Sequence, residues 1–195
     1  MNKTGTFNRL PELKGGRVHE ISGCSAIAFS FLHTRDKEIM TCASPHWLGA
    51  LHPQSLARFC APQRVLHTAC TLEVDALWAA ENALRAGCLG VVIVALERTP
   101  NLTHFRRLQL AAQAGNTLGL AIVKHPAHSS PAETRWHCTA QYTEEEGGMR
   151  LHTSLYKNKK GITGSWVIDV FGEKEHMRLA ATPAGEPVWP QRRAG

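Results

Sequence analysis

No stretch of this 195-residue sequence approaches the roughly 20 consecutive apolar residues that a membrane-spanning helix needs. The first residues, Met1-Asn2-Lys3-Thr4-Gly5-Thr6, lack the apolar core of a secretory signal, so the expectation is a cytoplasmic protein with no membrane partner. Six cysteines contain no C-x-x-C pair, which argues against a zinc ribbon or a dithiol redox motif. Several sit inside apolar segments as small buried hydrophobes do, so the expectation is buried, reduced thiols. Eleven histidines include no firm metal-ligand spacing. With 43% hydrophobic and 19% charged residues the chain is not short of core material, which separates it from disordered sequences. The net charge of +6 permits an acidic partner, including nucleic acid, without requiring one.

What is present is organised around residues Gly90 to Lys124. Gly90-Val91-Val92-Ile93-Val94-Ala95-Leu96 is an unbroken apolar run, as expected of a strand covered on both faces. Thr103 to Ala114 then places Phe105, Leu108, Ala111 and Ala112 on one helical face and Arg106, Gln109 and Gln113 on another. Gly115 stands where a left-handed cap belongs, and Thr117 to Val123 is a second apolar run. Strand, helix and parallel strand make one right-handed βαβ unit.

The upstream chain reads as more of the same sheet. Arg17 to Ile21 alternates as a first strand, Gly23 ends it, and Ser25 to Leu32 suits a short buried helix. Lys37 to Ala43 is a second strand, Ser44 to Trp47 a loop, Gln54 to Phe59 a short helix behind Pro53, and Arg64 to Thr68 a third strand. Thr71 is placed to cap the next helix, Glu73 and Asp75 fall in its first turn, and Arg85 and Gly87 close it. Val74, Leu77, Trp78 and Leu84 are its expected buried face. Downstream, Arg135 to Tyr142, Met149 to Lys157 and Ser165 to Phe171 are strand-like runs joined by glycine-containing loops, which predicts antiparallel hairpins that extend the sheet.

A strand, a glycine and a helix resemble a phosphate-binding loop, yet its chemistry is missing. Counting from Gly23 against G-x-x-x-x-G-K-[ST], Ala28 replaces the second glycine and Phe29 the lysine that neutralises phosphate. At the end of the central strand, where a magnesium-binding aspartate belongs, the chain has Ala95-Leu96-Glu97. Glu97 reads either as a displaced carboxylate or as a solvated strand-end residue. No catalytic, cofactor-binding or metal-binding residue is expected, and no enzyme activity.

Three segments carry a family resemblance: Gly16 to Ile21, Asp75-Ala76-Leu77-Trp78-Ala79-Ala80-Glu81-Asn82-Ala83-Leu84-Arg85, and Arg106-Arg107-Leu108-Gln109-Leu110-Ala111-Ala112-Gln113-Ala114-Gly115-Asn116-Thr117-Leu118-Gly119-Leu120. With Thr134-Arg135-Trp136 and Gly164-Ser165-Trp166, they make roughly residues 15 to 172 resemble ImuA, RecA-like bacterial proteins of damage-induced mutagenesis. The resemblance implies an α/β fold with a RecA-like P-loop-type core, a mainly parallel sheet, a degenerate phosphate loop and a C-terminal antiparallel hairpin extension. Composition sets the flanks: residues 1–14 are polar and broken by Pro11, a flexible segment, and residues 182–195, with Pro183, Pro187 and Pro190, are a flexible tail, which leaves 15–181 as the RecA-like domain. The resemblance also implies a non-catalytic role in SOS translesion synthesis, beside an ImuB-like inactive polymerase homologue and an error-prone C-family DNA polymerase. Contact with RecA is a further implication, and any DNA contact is indirect.

Partner or DNA-binding candidates are Arg106 and Arg107 on the helix, Lys157, Lys159 and Lys160 around a hairpin tip, and Trp189, Arg192 and Arg193 in the tail. Each has a plainer alternative: a helix-face ion pair, a soluble sheet edge, or a tryptophan docked on its own domain. Two other functional classes stay open, an SOS inhibitor of cell division resembling SulA and an active RecA-like ATPase.

Overall fold

The computed structural model describes residues 10–34, 36–141, 148–159, 161, 163–171 and 176–180. In chain order, β1 (Val18–Ser22) leads through α1 (Ala26–Phe31) to β2 (Ile39–Ala43). Then α2 (Pro45–Gly49), α3 (Pro53–Leu56) and a 3-10 turn at Pro62–Arg64 precede β3 (Val65–Ala69). The chain returns through α4 (Glu73–Ala86), β4 (Val91–Arg98), α5 (Leu102–Gly115) and β5 (Leu118–His125). It finishes with β6 (Thr134–Gln141), β7 (Met149–Asn158), β8 (Gly164–Phe171) and β9 (His176–Ala180).

These strands form one mixed sheet of nine, in the order β3-β2-β4-β5-β1-β6-β7-β8-β9. All pairings from β3 through β6 are parallel, and those from β6 through β9 are antiparallel. The expected hairpin region therefore continues the parallel sheet, with β6 parallel to β1 on one side and antiparallel to β7 on the other.

The crossover rule explains the layers. Moving outward from β1 to β3, the chain packs α1 to α3 over one face, where Phe29, Trp136 and Trp166 meet with ring centroids 5.1 and 5.7 Å apart. Moving back from β3 to β5 it packs α4 and α5 over the other, where Ala76, Ala80, Leu84, Phe105, Leu108 and Ala111 are buried. Between two covered faces, all five residues of β1 are buried. This corrects the expected alternation: His19, Glu20 and Ser22 are buried as well as Val18 and Ile21.

Four further expectations are corrected. Ser44 to Trp47 is not a loop, because Pro45 opens α2 and Ser44 caps it by accepting from the Trp47 amide at 3.3 Å. Thr71 does not cap α4: Leu72 holds that position without a side-chain bond. Gly115 is the last helical residue of α5, and Asn116 takes the left-handed conformation at φ 49°. Glycine is still required there, since a Cβ on Gly115 would lie 2.0 Å from the Leu84 carbonyl oxygen. The fourth concerns α4, whose buried face is Ala76, Ala80, Glu81, Ala83 and Leu84, whereas Val74 and Trp78 are 54% and 64% exposed. The close approach of α4 to α5 and the sheet selects the small-residue stripe and turns the larger one outward.

Candidate functional site

In an open α/β sheet a ligand crevice forms beyond the carboxyl ends of the strands, where crossovers part to opposite faces. Here β1 and β2 leave towards α1 and α2, and β4 leaves towards α5. Between them opens a crevice of about 460 Å³ whose lining includes Gly23, Trp47, Cys70, Glu73, Glu97 and Lys124.

A nucleotide's phosphates would be held at the turn after β1, and three features there oppose it. The Ser25 amide donates to the Cys138 carbonyl at 3.1 Å, and the Ala26 amide to the Gly23 carbonyl at 3.1 Å. Two amides that could face a phosphate are thus bonded to the chain itself. Gly23, at φ 96°, serves the same contact, because a Cβ on it would lie 2.1 Å from the Cys138 oxygen. Phe29, at the lysine position, is fully buried under the sheet against Trp136 and His33 and does not line the crevice.

The crevice charges are also unsuited to phosphate. Glu97 receives Lys124 at 3.1 Å, with both side chains mostly exposed. The Glu97 amide donates to the Glu73 carboxylate. An incoming anion would meet two carboxylates and a lysine already engaged by one of them. Burial, with the negative charge of Asp75 adding to it, pushes the Cys70 thiol up from its ordinary pKa. Among the described residues no group of three or more His, Cys, Asp and Glu is placed to hold a metal ion.

Among the described residues the basic candidates do not converge. Arg107 pairs with Glu81 at 2.8 Å, and Arg106 beside it is exposed on the outer face of α5. Lys157 donates to the Ser130 carbonyl, and its ammonium pKa is lowered by burial, then by Arg135 and Lys159. Lys159 lies 3.7 Å from Glu133. These two lysines hold the β5–β6 loop, away from α5. Lys160, Trp189, Arg192 and Arg193 lie outside the described residues.

One surface escaped the sequence reading. A groove of about 70 Å³ between the outer faces of α4 and α5 is lined by Val74, Leu77, Trp78, Glu81, His104 and Arg107. The signal was present: α4 carries two apolar stripes, Ala76-Ala80-Ala83-Leu84 and Val74-Leu77-Trp78, and a helix on one sheet buries only one.

Among the described residues no helix is long and apolar enough to cross a membrane. No protein-family model matches the chain, and no curated protein matches it. Among solved structures the chain is similar to SulA from Pseudomonas aeruginosa, at 20% identity and a TM-score of 0.45, with 56% of this chain and 98% of that chain covered.

Proposed function

We propose that this chain is a non-catalytic accessory of damage-induced, error-prone translesion DNA synthesis. It acts by binding other proteins of that machinery: a polymerase-like protein without its own catalytic carboxylates, an error-prone C-family polymerase, and RecA. The core is read as a RecA-like sheet whose nucleotide site is closed. The observation that carries the reading is the turn after β1, where the Ser25 and Ala26 amides are spent on the Cys138 and Gly23 carbonyls and the lysine position is a core phenylalanine. That arrangement supports binding over turnover. The ImuA-like segments Asp75 to Arg85 and Arg106 to Leu120 support the choice of process; they form most of α4 and α5, and continue into β5.

The test is a tagged pull-down from cells treated with a DNA-damaging agent, using nuclease-treated lysate and mass spectrometry. Recovery of the polymerase-like protein, the error-prone polymerase or RecA is expected. Recovery of the tubulin-like division protein alone would overturn the reading, and so would ATP hydrolysis by the purified chain that Glu97→Gln abolishes.

A further inference from the structure

We infer that the outer face of α4 is the surface through which two copies of this chain pair about a two-fold axis, each covering the other's Trp78; the inference is independent of the accessory reading above. Single exposed apolar residues are ordinary on a protein surface. On α4 they are adjacent: Val74 and Trp78 stand one turn apart, with half-buried Leu77 beside them at the groove against α5. At 100° per residue, Val74, Asp75, Trp78, Asn82 and Arg85 fall within an arc of about 100° on the outward side of the helix. The sheet holds α4 through Ala76, Ala80, Ala83 and Leu84, so the core leaves this arc uncovered. A tryptophan covered by a partner is the residue type that dominates binding energy at interfaces.

The pattern of charge selects the second copy. At the amino end of the arc, Asp75 is exposed and makes no ion pair among the described residues. Glu73 beside it serves the crevice, where its carboxylate accepts from the Glu97 amide. At the other end, Arg85 at 2.6 Å and Arg107 at 2.8 Å share the Glu81 carboxylate, which leaves one net positive charge. Asp75 and Arg85 are thus opposite charges about 15 Å apart along one helix. A partner of a single sign, nucleic acid included, is repelled by one end of this face. A second copy turned through 180° lays its α4 antiparallel on the first, bringing its Arg85 to Asp75 and its Asp75 to Arg85, so one surface satisfies itself twice. The axis then passes at the level of Ala80, and Trp78 of each copy lies about 3 Å from it along the helix, at the centre of the contact. The net charge of +6 opposes pairing only at long range, and physiological salt screens it beyond about 8 Å.

The test is sedimentation of the purified chain over a concentration series at physiological salt, with Trp78→Ala, Asp75→Arg, Arg85→Asp and, as a control on the β3 edge, Leu66→Ala. All four side chains are exposed, and thermal melts check that the variants stay folded. The wild-type chain should pass from monomer to dimer and grow no further, since a two-fold contact closes on itself. Trp78→Ala should raise the dimer dissociation constant at least about tenfold, and Leu66→Ala should leave it unchanged. Asp75→Arg or Arg85→Asp alone sets like charges together at both ends and should also weaken the dimer. An equimolar mixture of those two variants should restore it, because each chain brings the charge that the other lacks. A wild-type chain that stays monomeric to about 100 μM would overturn the inference. So would a dimer indifferent to Trp78→Ala, or one weakened by Leu66→Ala alone. Failure of the mixture to pair would overturn the antiparallel arrangement. If the wild-type chain is monomeric and Trp78→Ala loses a protein from the pull-down above, that protein covers the face in place of a second copy. The accessory reading stands or falls on the wild-type pull-down, so the two failures are distinguishable.

Discussion

Glu20 and Arg135 face each other across β1 and β6, with the guanidinium 2.7 Å from the carboxylate and both side chains buried. The same guanidinium donates to the Ala127 carbonyl at 2.6 Å and the His128 carbonyl at 3.0 Å, and lies 5.0 Å from the centre of the Tyr156 ring. One side chain therefore fastens the β5–β6 loop to the middle of the sheet. Arg135→Ala leaves a carboxylate buried without its partner and should destabilise the fold by about 3–5 kcal/mol. Glu20→Leu combined with Arg135→Leu should recover a substantial part of that loss. Urea unfolding of the three proteins measures both effects.

His19 is buried and hydrogen-bonded to Thr134 at 2.7 Å, and burial lowers its pKa to about 4. The unfolded chain, with a histidine near 6.5, takes up this proton first as pH falls. The stability from keeping His19 neutral is thus complete above pH 6.5 and is lost as pH falls to about 4. His137 and His152, also lowered by burial, act in the same direction. His19→Gln should shrink the stability difference between pH 7 and pH 5 by about 2 kcal/mol. An unchanged difference in paired denaturation curves would refute the assignment.

Restoring the missing lysine should not restore a nucleotide site. Phe29→Lys would place an ammonium in the core between His33 and Trp136 instead of the crevice. Loss of a buried ring alone costs about 3–5 kcal/mol, so the melting temperature should fall by about 10 °C or more. Calorimetric titration with magnesium ATP should show no binding gained.

Gly115→Ala tests the packing of α4 on α5. The added methyl meets the Leu84 carbonyl oxygen at 2.0 Å, which is backbone and cannot swing aside. The helices must part, at a cost of about 1–3 kcal/mol in thermal or denaturant unfolding. Gly161→Ala, where the methyl meets nothing, tests φ 80° alone and should cost less.

The parallel half of the sheet was legible because continuous apolar runs such as Val91 to Leu96 carry their own signal. The hairpin half was legible from its loops. Sidedness was harder to read. The stripes on α4 differ in size more than in polarity, and the close approach of α4 to the sheet and to α5, as at Leu84 and Gly115, residues far apart in sequence, decides which turns inward. Lys157 and Lys159 illustrate the same limit at the candidate site. Their clustering with Lys160 is local, but the Ser130 and Glu133 oxygens that engage them come from another loop. The closed phosphate turn was half visible: Phe29 announced the lost lysine, while the Cys138 carbonyl that occupies the Ser25 amide comes from β6.

The place of β1 between β5 and β6 also sets the order of events during synthesis. Val18 pairs beside Gly119, and Ile21 beside Trp136, so the earliest strand of the sheet has both neighbours about a hundred residues downstream. At about 5–20 residues per second, β1 waits on the order of 5–20 seconds after leaving the ribosome before either neighbour exists. During that interval its apolar residues and backbone groups stand without their sheet partners, the kind of exposure that slows folding and invites aggregation when pairing is non-local.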